Sequence, residues 1–274
     1  MSYVDKVYRD IVLTIKNRGD WDIGEDVRTV YSDGEKAYAK SILGLQVRFP
    51  SGTLPVITTK KLFTETAKKE MILFWCKQTV KKVDFDNWNV KIWNEWFKED
   101  GTLGESYAKQ FQKGQRNQVV ELIEGIKKNP KSRRLMTSFW DFENAPKKAL
   151  QECAWATQWD VRNGKLNMIL IQRSVDVACG LPFNWLQYYE LQCLVAHCTG
   201  LEVGDFIHQM GNVHYYDRHE DLLLHQVNCN VFENKTAKVE INQSLTDFFK
   251  TEPSDIHLVN FKCSKRNFKY EIAI

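Results

Sequence analysis

Several features are scarce in this sequence, and each scarcity excludes a class of protein. Only 6 of the 274 residues are proline, and no Pro-rich or Gly-rich linker separates one part of the chain from another. No segment reaches the roughly 20 apolar residues of a membrane-spanning helix, so no membrane association is expected. Residues 1–6 lack the charged-then-apolar pattern of a signal peptide. We therefore predict one mixed α+β domain over residues 1–274.

Close cysteine pairs are also missing, although the chain contains 7 cysteines. The number is odd, and no C-x-x-C motif occurs among positions 76, 153, 179, 193, 198, 229 and 263. This distribution argues against a disulfide framework and a cysteine-rich zinc site, so no metal is expected. The predicted location is the reducing cytoplasm. The formal net charge of +3 gives no general case for nucleic-acid binding, and no DNA partner is required.

Apolar periodicity predicts the elements around which a site can be arranged. It indicates helices over 4–15, 66–78, 119–126 and 183–198, strands over 41–49 and 258–274, and a loop over 19–37. Residues 155–173 are rich in β-formers and are interrupted once, by Asn163-Gly164, a dipeptide typical of a two-residue hairpin turn. The predicted hairpin brings Cys153 and Arg173 close together at its open end.

Cys153 is the candidate nucleophile. A cysteine attacks as the thiolate and needs a nearby positive charge, which Arg173 would supply across the hairpin. Taken alone, the residue is better explained as a buried strand cysteine. The other six cysteines lie among apolar neighbours and fit that structural role.

Basic residues form a candidate phosphate site. Arg133 and Arg134, together with Arg28 and Arg173, could bind phosphate oxygens, because guanidinium groups match their geometry. Taken alone, the Arg133-Arg134 pair is more typical of a solvated basic turn.

Further polar and aromatic residues each have a functional and a structural interpretation. Glu70, on an apolar helix, is a candidate acid or base, or else a surface carboxylate beside two lysines. Trp93 is a core aromatic or a stacking surface for a flat ligand. Asn184 can donate to O4 and accept from N3–H of uracil. His214 and Tyr216 can bind a sugar hydroxyl, whereas a metal site of His214 with His219 has no supporting carboxylate motif.

Taken together, these motifs resemble the thymidylate synthase family, and the resemblance runs nearly end to end. It rests on stretches that occur in the family's order: Asp26-Val27-Arg28-Thr29, Thr58-Thr59-Lys60-Lys61, Ile92-Trp93-Asn94-Glu95-Trp96, Ser132-Arg133-Arg134, Gln172-Arg173-Ser174, Gly180-Leu181-Pro182-Phe183-Asn184 and Leu201-Glu202-Val203-Gly204-Asp205-Phe206. The resemblance implies a three-layer α/β/α fold whose large twisted mixed sheet forms a homodimer interface. It also implies dUMP as substrate and 5,10-methylenetetrahydrofolate as co-substrate.

The resemblance also implies roles for the site residues. Cys153 resembles the nucleophile that adds to C6 of the pyrimidine, Glu70 the carboxylate that acts through water, and Asn184 the pyrimidine reader. The implied phosphate ligands are Arg28, Arg173 and Ser174 of one subunit, with Arg133 and Arg134 donated across the dimer. The remaining implied contacts are an active-site hydroxyl from Tyr107, sugar contacts from His214 and Tyr216, and folate contacts from Trp93, Asp176, Lys60 and the C-terminal Ile274.

Two outcomes of the implied reaction diverge at its last step. Addition of the thiolate at C6 makes C5 nucleophilic, and C5 takes up the methylene carbon. Hydride from the folate then gives dTMP and dihydrofolate, whereas water gives 5-hydroxymethyl-dUMP and leaves tetrahydrofolate.

The chain departs from the family around the nucleophile. Glu152 stands where the synthases usually have proline, Ala154 where histidine is frequent, and Asn212 where Gly-Asp-x-His-x-Tyr has aspartate. An ionised Glu152 would raise the pKa of Cys153 and hold water. The related dCMP hydroxymethylases also lack that proline and that aspartate, but they carry aspartate where this chain has Asn184, whose amide suits uracil.

These departures lead to a specific expectation about the product. The sequence predicts a dUMP hydroxymethylase, an enzyme type associated with phages that place hydroxymethyluracil in their DNA. The alternative is a thymidylate synthase that makes dTMP and dihydrofolate, and the third interpretation is a non-catalytic folate- or RNA-binding relative.

Overall fold

The computed structural model describes residues 2–145, 148, 150–229 and 231–274. The helices are α1 (Tyr3–Arg18), α2 (Thr64–Trp75), α3 (Lys82–Asn87), α4 (Gln118–Lys128), α5 (Gly180–Thr199) and α6 (Glu220–Val227). The strands are β1 (Asp20–Trp21), β2 (Ala39–Phe49), β3 (Gln112–Lys113), β4 (Arg116–Asn117), β5 (Met136–Ser138), β6 (Ala154–Arg162), β7 (Lys165–Asp176), β8 (Glu202–Tyr216), β9 (Lys238–Ile241) and β10 (Ile256–Val259). Within the described ranges, no helix has the length and apolar character to cross a membrane.

A six-stranded mixed sheet organises the fold, in the order β1-β2-β8-β7-β6-β5. All neighbouring strands are antiparallel except β7 and β8, which are parallel and are joined through α5. The predicted hairpin is confirmed: Arg162 pairs with Lys165, and both turn residues, Asn163 and Gly164, have positive φ. This mixed α+β architecture with a large mixed sheet is the predicted fold class.

The core lies between α5 and one face of the sheet. Along β7, Leu166, Met168 and Leu170 alternate with half-buried residues and are fully buried beneath the helix. Gln192 of α5 ties the two layers together, because its Nε2 atom donates to the Leu166 carbonyl at 2.8 Å. On β2, by contrast, Leu43 is 84% exposed, so part of the sheet remains open to solvent in the single chain.

The helix predictions are confirmed, with ends displaced by a few residues, and so is the strand over 41–49. The prediction of a strand over 258–274 is wrong, because regular pairing with β9 ends at Val259. Beyond that point the chain runs over the protein without joining a sheet. Its backbone is instead held at separate points, for example where Lys61 N donates to the Arg266 carbonyl at 2.8 Å.

Gly211 allows β8 to approach the arginine-bearing part of β7. A Cβ atom at Gly211 would lie 2.7 Å from the Arg173 carbonyl oxygen and 3.3 Å from its Cα atom. Both are backbone atoms, so only a movement of the strand could relieve the overlap. Glycine is therefore required where the two strands come closest.

Replacement of Gly211 by alanine is expected to lower the free energy of unfolding by about 1–3 kcal/mol, because the added methyl group forces β7 and β8 apart. Urea unfolding followed by circular dichroism measures this change. The control is Gly125→Ala in α4, whose methyl group meets only the movable Cδ2 atom of Leu135 at 2.9 Å. Equal stability of Gly211→Ala and the wild-type protein would contradict the argument.

Candidate active site

A small cavity lies between α2, α5 and the start of β6. Its wall is made by Glu70, Met71, Phe74, Trp75, Tyr107, Ala154, Asn184, Gln187 and Tyr188. Three residues predicted for the site, Glu70, Tyr107 and Asn184, thus come from distant parts of the sequence to one cavity.

Cys153 lies at the edge of this cavity and pairs with Arg173 as predicted. The Arg173 amide donates to the Cys153 carbonyl at 2.8 Å, and the Cys153 amide donates to the Tyr107 hydroxyl at 3.2 Å. Burial raises the pKa of the Cys153 thiol, Arg173 and Arg28 lower it, and Asp176 and Glu152 raise it. Because the net shift is upwards, Cys153 rests as a thiol at neutral pH and needs positive charge nearby to ionise.

The guanidinium of Arg173 is held in place by the backbone beside Cys153. Its Nε atom donates to the Glu152 carbonyl at 2.9 Å, and its Nη2 atom donates to the Gln151 carbonyl at 3.0 Å. The group also lies over the Trp140 ring, 5.9 Å from the ring centroid. A guanidinium has five N–H donors, so it keeps donors for an anionic ligand in this fixed orientation.

Glu70 is buried and bound by two donors. Its Oε1 atom accepts from Trp93 Nε1 at 2.8 Å, and its Oε2 atom accepts from Gln187 Nε2 at 2.6 Å. Burial raises the pKa of Glu70 to about 7, although both hydrogen bonds lower it. A carboxyl group with this pKa can give and take protons near neutral pH. The structure thus argues against the alternative of a surface carboxylate.

Trp93 belongs to the same buried network. It is 7% exposed and packs against Phe74, Trp96 and Tyr107, with ring centroids 5.2 to 5.7 Å apart. The residue therefore orients Glu70 as well as forming part of the aromatic wall.

Asn184 is held by two glutamines. Its Oδ1 atom accepts from Gln172 Nε2 at 3.1 Å, and its Nδ2 atom donates to Gln187 Oε1 at 3.3 Å. Asn184 is the fifth residue of α5, and Gln187 follows three residues later on the same face.

His214 and Tyr216 lie on β8 beside the end of β7. His214 pairs with Asp176 in the sheet, and its Nδ1 atom bonds the Asn212 Oδ1 atom at 2.8 Å. Burial lowers the pKa of His214, so the ring is neutral at pH 7. His219 does not join it, because its Nε2 atom bonds the Glu271 carbonyl at 2.7 Å. Over the part of the chain that the structure describes, no group of three His, Cys, Asp or Glu residues could hold a metal ion.

The residues expected at the folate lie beyond the cavity wall. Asp176 caps the start of the β7–α5 turn, where its Oδ1 atom accepts from the Ala178 amide at 2.8 Å. Lys60 is buried, and its Nζ atom donates to the Ala178 carbonyl at 2.6 Å and lies over the Tyr270 ring. The C-terminal Ile274 exchanges two backbone hydrogen bonds of 2.9 Å with Val30, two residues from Arg28.

Arg28 lies on an exposed loop but close to the nucleophile. Its positive charge lowers the pKa of both Cys153 and Tyr216. Ser174 is next to Arg173 on β7 and pairs with Asn212 of β8. These residues therefore surround the opening of the cavity on the side of Cys153.

Arg133 and Arg134 do not lie near this cluster. They stand on an exposed turn before β5, where the Leu135 carbonyl accepts from the Trp159 amide at 2.8 Å. Trp159 is six residues along the chain from Cys153, which corresponds to about 20 Å in a strand. An arginine side chain cannot span that distance within one chain.

Glu152 raises the pKa of the Cys153 thiol, as expected, but its carboxylate is bound by two protein donors. Its carboxylate accepts from Lys148 Nζ at 2.7 Å and from the Tyr107 amide at 3.2 Å. Both side chains of the ion pair are almost completely buried, with 5% of Lys148 and 1% of Glu152 exposed. The negative charge beside the thiol is therefore compensated by a lysine that the sequence analysis did not identify.

Gln172, Gln187 and Lys148 are the site residues that sequence reasoning missed. For Gln187 a signal existed, since it follows Asn184 by one helical turn and shares its face. Gln172 lies two residues beyond Leu170 in the same buried period-two series of β7, which also indicated that it points inside. Lys148 stands in a segment without periodicity, and nothing in the sequence marked it.

Comparison with known proteins agrees with this geometry. Residues 6–274 match the family model described as "Thymidylate synthase". The chain is 37% identical over 284 residues to the thymidylate synthase of Bacillus phage phi3T, with all of both chains covered. It is 38% identical to that of Fusobacterium nucleatum, with 98% of each covered. The thermostable thymidylate synthase A of Bacillus subtilis superposes with a TM-score of 0.93 at 36% identity, over all of both chains.

The chain belongs to the thymidylate synthase family. It is accordingly a one-carbon transferase that acts on dUMP with methylenetetrahydrofolate as co-substrate. Nothing in these relatives supports a hydroxymethylase branch specifically, since those described here are all named thymidylate synthases.

Replacement of Glu70 by glutamine is expected to flatten the pH dependence of the free energy of unfolding between about pH 4.5 and pH 7. A carboxyl whose pKa is raised by folding binds its proton more tightly in the folded chain, so the wild-type protein loses stability as the pH rises through this window. From the shift of 4.5 to about 7, that loss is up to about 3 kcal/mol.

Urea unfolding at a series of pH values measures this slope. The slope is the readout because the loss of one acceptor in the variant changes stability by an amount that does not depend on pH. The exposed Glu124→Gln serves as control and leaves the slope unchanged. Parallel curves for Glu70→Gln and the wild-type protein would show that Glu70 is not a raised-pKa group.

Proposed function

We propose that this protein converts dUMP and methylenetetrahydrofolate to dTMP and dihydrofolate. The observation that carries the proposal is the single cavity onto which Glu70, Tyr107 and Asn184 converge, with Cys153 bonded to Tyr107 at its edge. A base reader, a titratable carboxyl group and a nucleophile beside a fixed guanidinium are the groups that this reaction needs.

In the proposed reaction, the Cys153 thiol loses its proton and its sulfur forms a bond to C6 of uracil. The C5–C6 electron pair moves onto C5, which becomes the nucleophile. Arg173 and Arg28 favour the thiolate electrostatically, and Glu70 exchanges protons with the bound pyrimidine through water near pH 7. The co-substrate supplies the methylene carbon and then the hydride. After C5 has bonded the methylene carbon, loss of the C5 proton and of tetrahydrofolate leaves an exocyclic methylene group. Hydride transfer from that tetrahydrofolate completes the methyl group, the sulfur–C6 bond breaks to release the Cys153 thiolate, and dihydrofolate remains.

The same proposal assigns the binding roles. Arg28, Arg173 and Ser174 bind the phosphate, His214 and Tyr216 bind the sugar hydroxyl, and Asn184 binds the pyrimidine edge. Trp93, Asp176, Lys60 and Ile274 form the folate side of the site. The fixed orientation of the Arg173 guanidinium supports its part, because a preorganised donor loses little entropy when it binds an anion.

The buried ion pair of Glu152 and Lys148 supports methyl transfer over hydroxymethyl transfer. The expectation of a hydroxymethyl product rested on a carboxylate that holds water beside Cys153. Instead, the Oε1 atom of Glu152 accepts from Lys148 Nζ and from the Tyr107 amide, and only 1% of the side chain is exposed. The names of the relatives point the same way.

The hydroxymethyl outcome remains a second candidate because of Asn212. This residue replaces the family's aspartate, and its Oδ1 atom bonds the ring of His214. An amide in that position changes the charge next to the sugar-binding residues, although it lies on the strand rather than on the cavity wall.

Product analysis distinguishes the two outcomes. The wild-type protein, incubated with dUMP and methylenetetrahydrofolate, is expected to give dTMP by mass spectrometry and the absorbance of dihydrofolate in equal amounts. Cys153→Ser is expected to lower the rate at least about a thousandfold, because the adduct cannot form efficiently. Cys263→Ser, a half-buried cysteine on the C-terminal segment, is the matched control. A 5-hydroxymethyl product without dihydrofolate absorbance would overturn the methyl-transfer proposal.

We further propose that the protein acts as a homodimer that shares phosphate ligands. One face of the sheet carries the exposed Leu43 and the half-buried Trp155 and Ile171, an apolar surface that a second copy can cover. Arg133 and Arg134 are about 20 Å along β6 from their own Cys153. They can therefore serve only the cavity of another chain.

Subunit mixing tests this arrangement. Cys153→Ser and the double variant Arg133→Ala/Arg134→Ala are each expected to be nearly inactive. When they are unfolded and refolded together, heterodimers contain one complete site, so random pairing restores up to about a quarter of wild-type activity. Refolding each variant alone is the control. Absence of recovery, with heterodimers shown to form, would place the arginines outside the partner's site.

A further inference from the structure

A chain of buried amide groups runs from α2 to β7 through Asn184. Gln187 Nε2 donates to Glu70 Oε2 at 2.6 Å and to the Ala67 carbonyl at 3.2 Å. Asn184 Nδ2 then donates to Gln187 Oε1 at 3.3 Å. Gln172 Nε2 donates to Asn184 Oδ1 at 3.1 Å and to the Ser174 carbonyl at 2.9 Å.

Both ends of this chain accept hydrogen bonds and cannot donate them. A backbone carbonyl is an acceptor only, so the Ala67 carbonyl requires the NH₂ group of Gln187 and the Ser174 carbonyl requires that of Gln172. The amide orientations thus follow from fixed backbone groups. Because the Ala67 carbonyl alone fixes Gln187, protonation of Glu70 leaves the direction of the chain unchanged.

These fixed ends determine the orientation of the amide between them. Asn184 must present its NH₂ group to the Gln187 oxygen and its oxygen to the NH₂ group of Gln172. A flip by 180° would set two oxygens against each other at Gln187 and two NH₂ groups against each other at Gln172. Water cannot relieve the mismatch, since only 3% of Gln172 and 6% of Gln187 are exposed.

We propose that Gln187 and Gln172 are positioning residues that hold Asn184 in the orientation that reads uracil and rejects cytosine. This inference rests on the proposed role of Asn184 as the pyrimidine reader. In its fixed orientation, Asn184 has one N–H and one oxygen lone pair left for a ligand. Uracil offers an oxygen at C4 and an N–H at N3, whereas cytosine offers an NH₂ group at C4 and a bare N3.

Cytosine therefore requires the opposite orientation of the Asn184 amide. The flip would break the hydrogen bonds of Asn184 to the two glutamines, whereas the ligand would keep its own. Selectivity between two bases that differ only in these groups then depends on residues that do not touch the base, as buried unpaired polar groups penalise the wrong partner.

Methionine substitutions at the two glutamines test the inference. Gln187→Met and Gln172→Met keep approximately the side-chain length but remove one clamp each. We expect the ratio of kcat/KM for dUMP to that for dCMP, measured by release of tritium from C5, to fall about tenfold in each variant and further in the double variant. Calorimetric dissociation constants for dUMP and dCMP should change in the same sense.

The matched control is Gln192→Met, a fully buried glutamine on the same helix whose Nε2 atom bonds only backbone carbonyls, those of Leu166 and Asp205. It loses stability but keeps the selectivity ratio. Asn184→Asp is the positive control, because it replaces the amide that is proposed to bind the pyrimidine edge with a group of different hydrogen-bonding polarity. The dissociation constants separate the positioning role from a change in the proton transfers of Glu70 in Gln187→Met, since binding requires no proton transfer at C5.

The outcomes separate this inference from the proposed function. If the wild-type protein releases no tritium from dUMP, the proposed reaction is wrong, and the dissociation constants still test the clamp. If it releases tritium but both methionine variants keep the ratio within about twofold, the proposed positioning role of the two glutamines is wrong. Gln172 lies on a strand and Gln187 on a helix, so failure of one variant to fold leaves the other as the test.

Discussion

The hydrogen bond from the Arg173 amide to the Cys153 carbonyl, 2.8 Å long, is the contact on which the site depends. It closes the β6–β7 hairpin at its open end and sets the guanidinium beside the thiol. The register that allows it includes an irregularity between Ala154 and Ala156. An uninterrupted ladder from the Asn163-Gly164 turn would have set Arg173 opposite Ala154, and a one-residue slip exchanges the two faces of a strand. The bulge thus sets Arg173 opposite Cys153 instead of opposite Ala154.

Three features could be predicted from the sequence, because each depends on neighbours in the chain or on a strict period. They are the turn dipeptide, the apolar helix over 183–198 and the spacing of Cys153 and Arg173. The bulge between Ala154 and Ala156 could not be predicted, since no residue type in that stretch marks a register shift. The strand expected over 258–274 failed for a different reason. Its composition favours a strand, but after Val259 no sheet edge receives it, and the tail is fixed by scattered contacts.

Polarity is the second constraint that organises the cavity. Trp93 can only donate, and the Ala67 and Ser174 carbonyls can only accept, so every amide between them has one satisfied orientation. Burial makes this arrangement strict, because water cannot replace a lost partner. The same burial raises the pKa of Glu70 to about 7. One physical cause thereby raises the pKa of Glu70 towards neutrality and keeps the Asn184 amide in a single orientation, as the proposed roles of acid–base group and base reader require.

Glu152 is the residue for which the sequence was most misleading, and its surroundings explain how a carboxylate can stand where the family has proline. Proline restricts the backbone through its fixed φ. Glu152 instead binds Lys148 and the Tyr107 amide, and Tyr107 has a φ of 28°, a region that costs a non-glycine residue about 1–3 kcal/mol. The hydroxyl of Tyr107 in turn accepts from the Cys153 amide. A buried ion pair adds little net stability, but here Glu152 also binds the backbone of Tyr107, whose hydroxyl accepts from Cys153. The carboxylate thus restrains the nucleophile segment through tertiary contacts, whereas proline would restrain it through the chain itself.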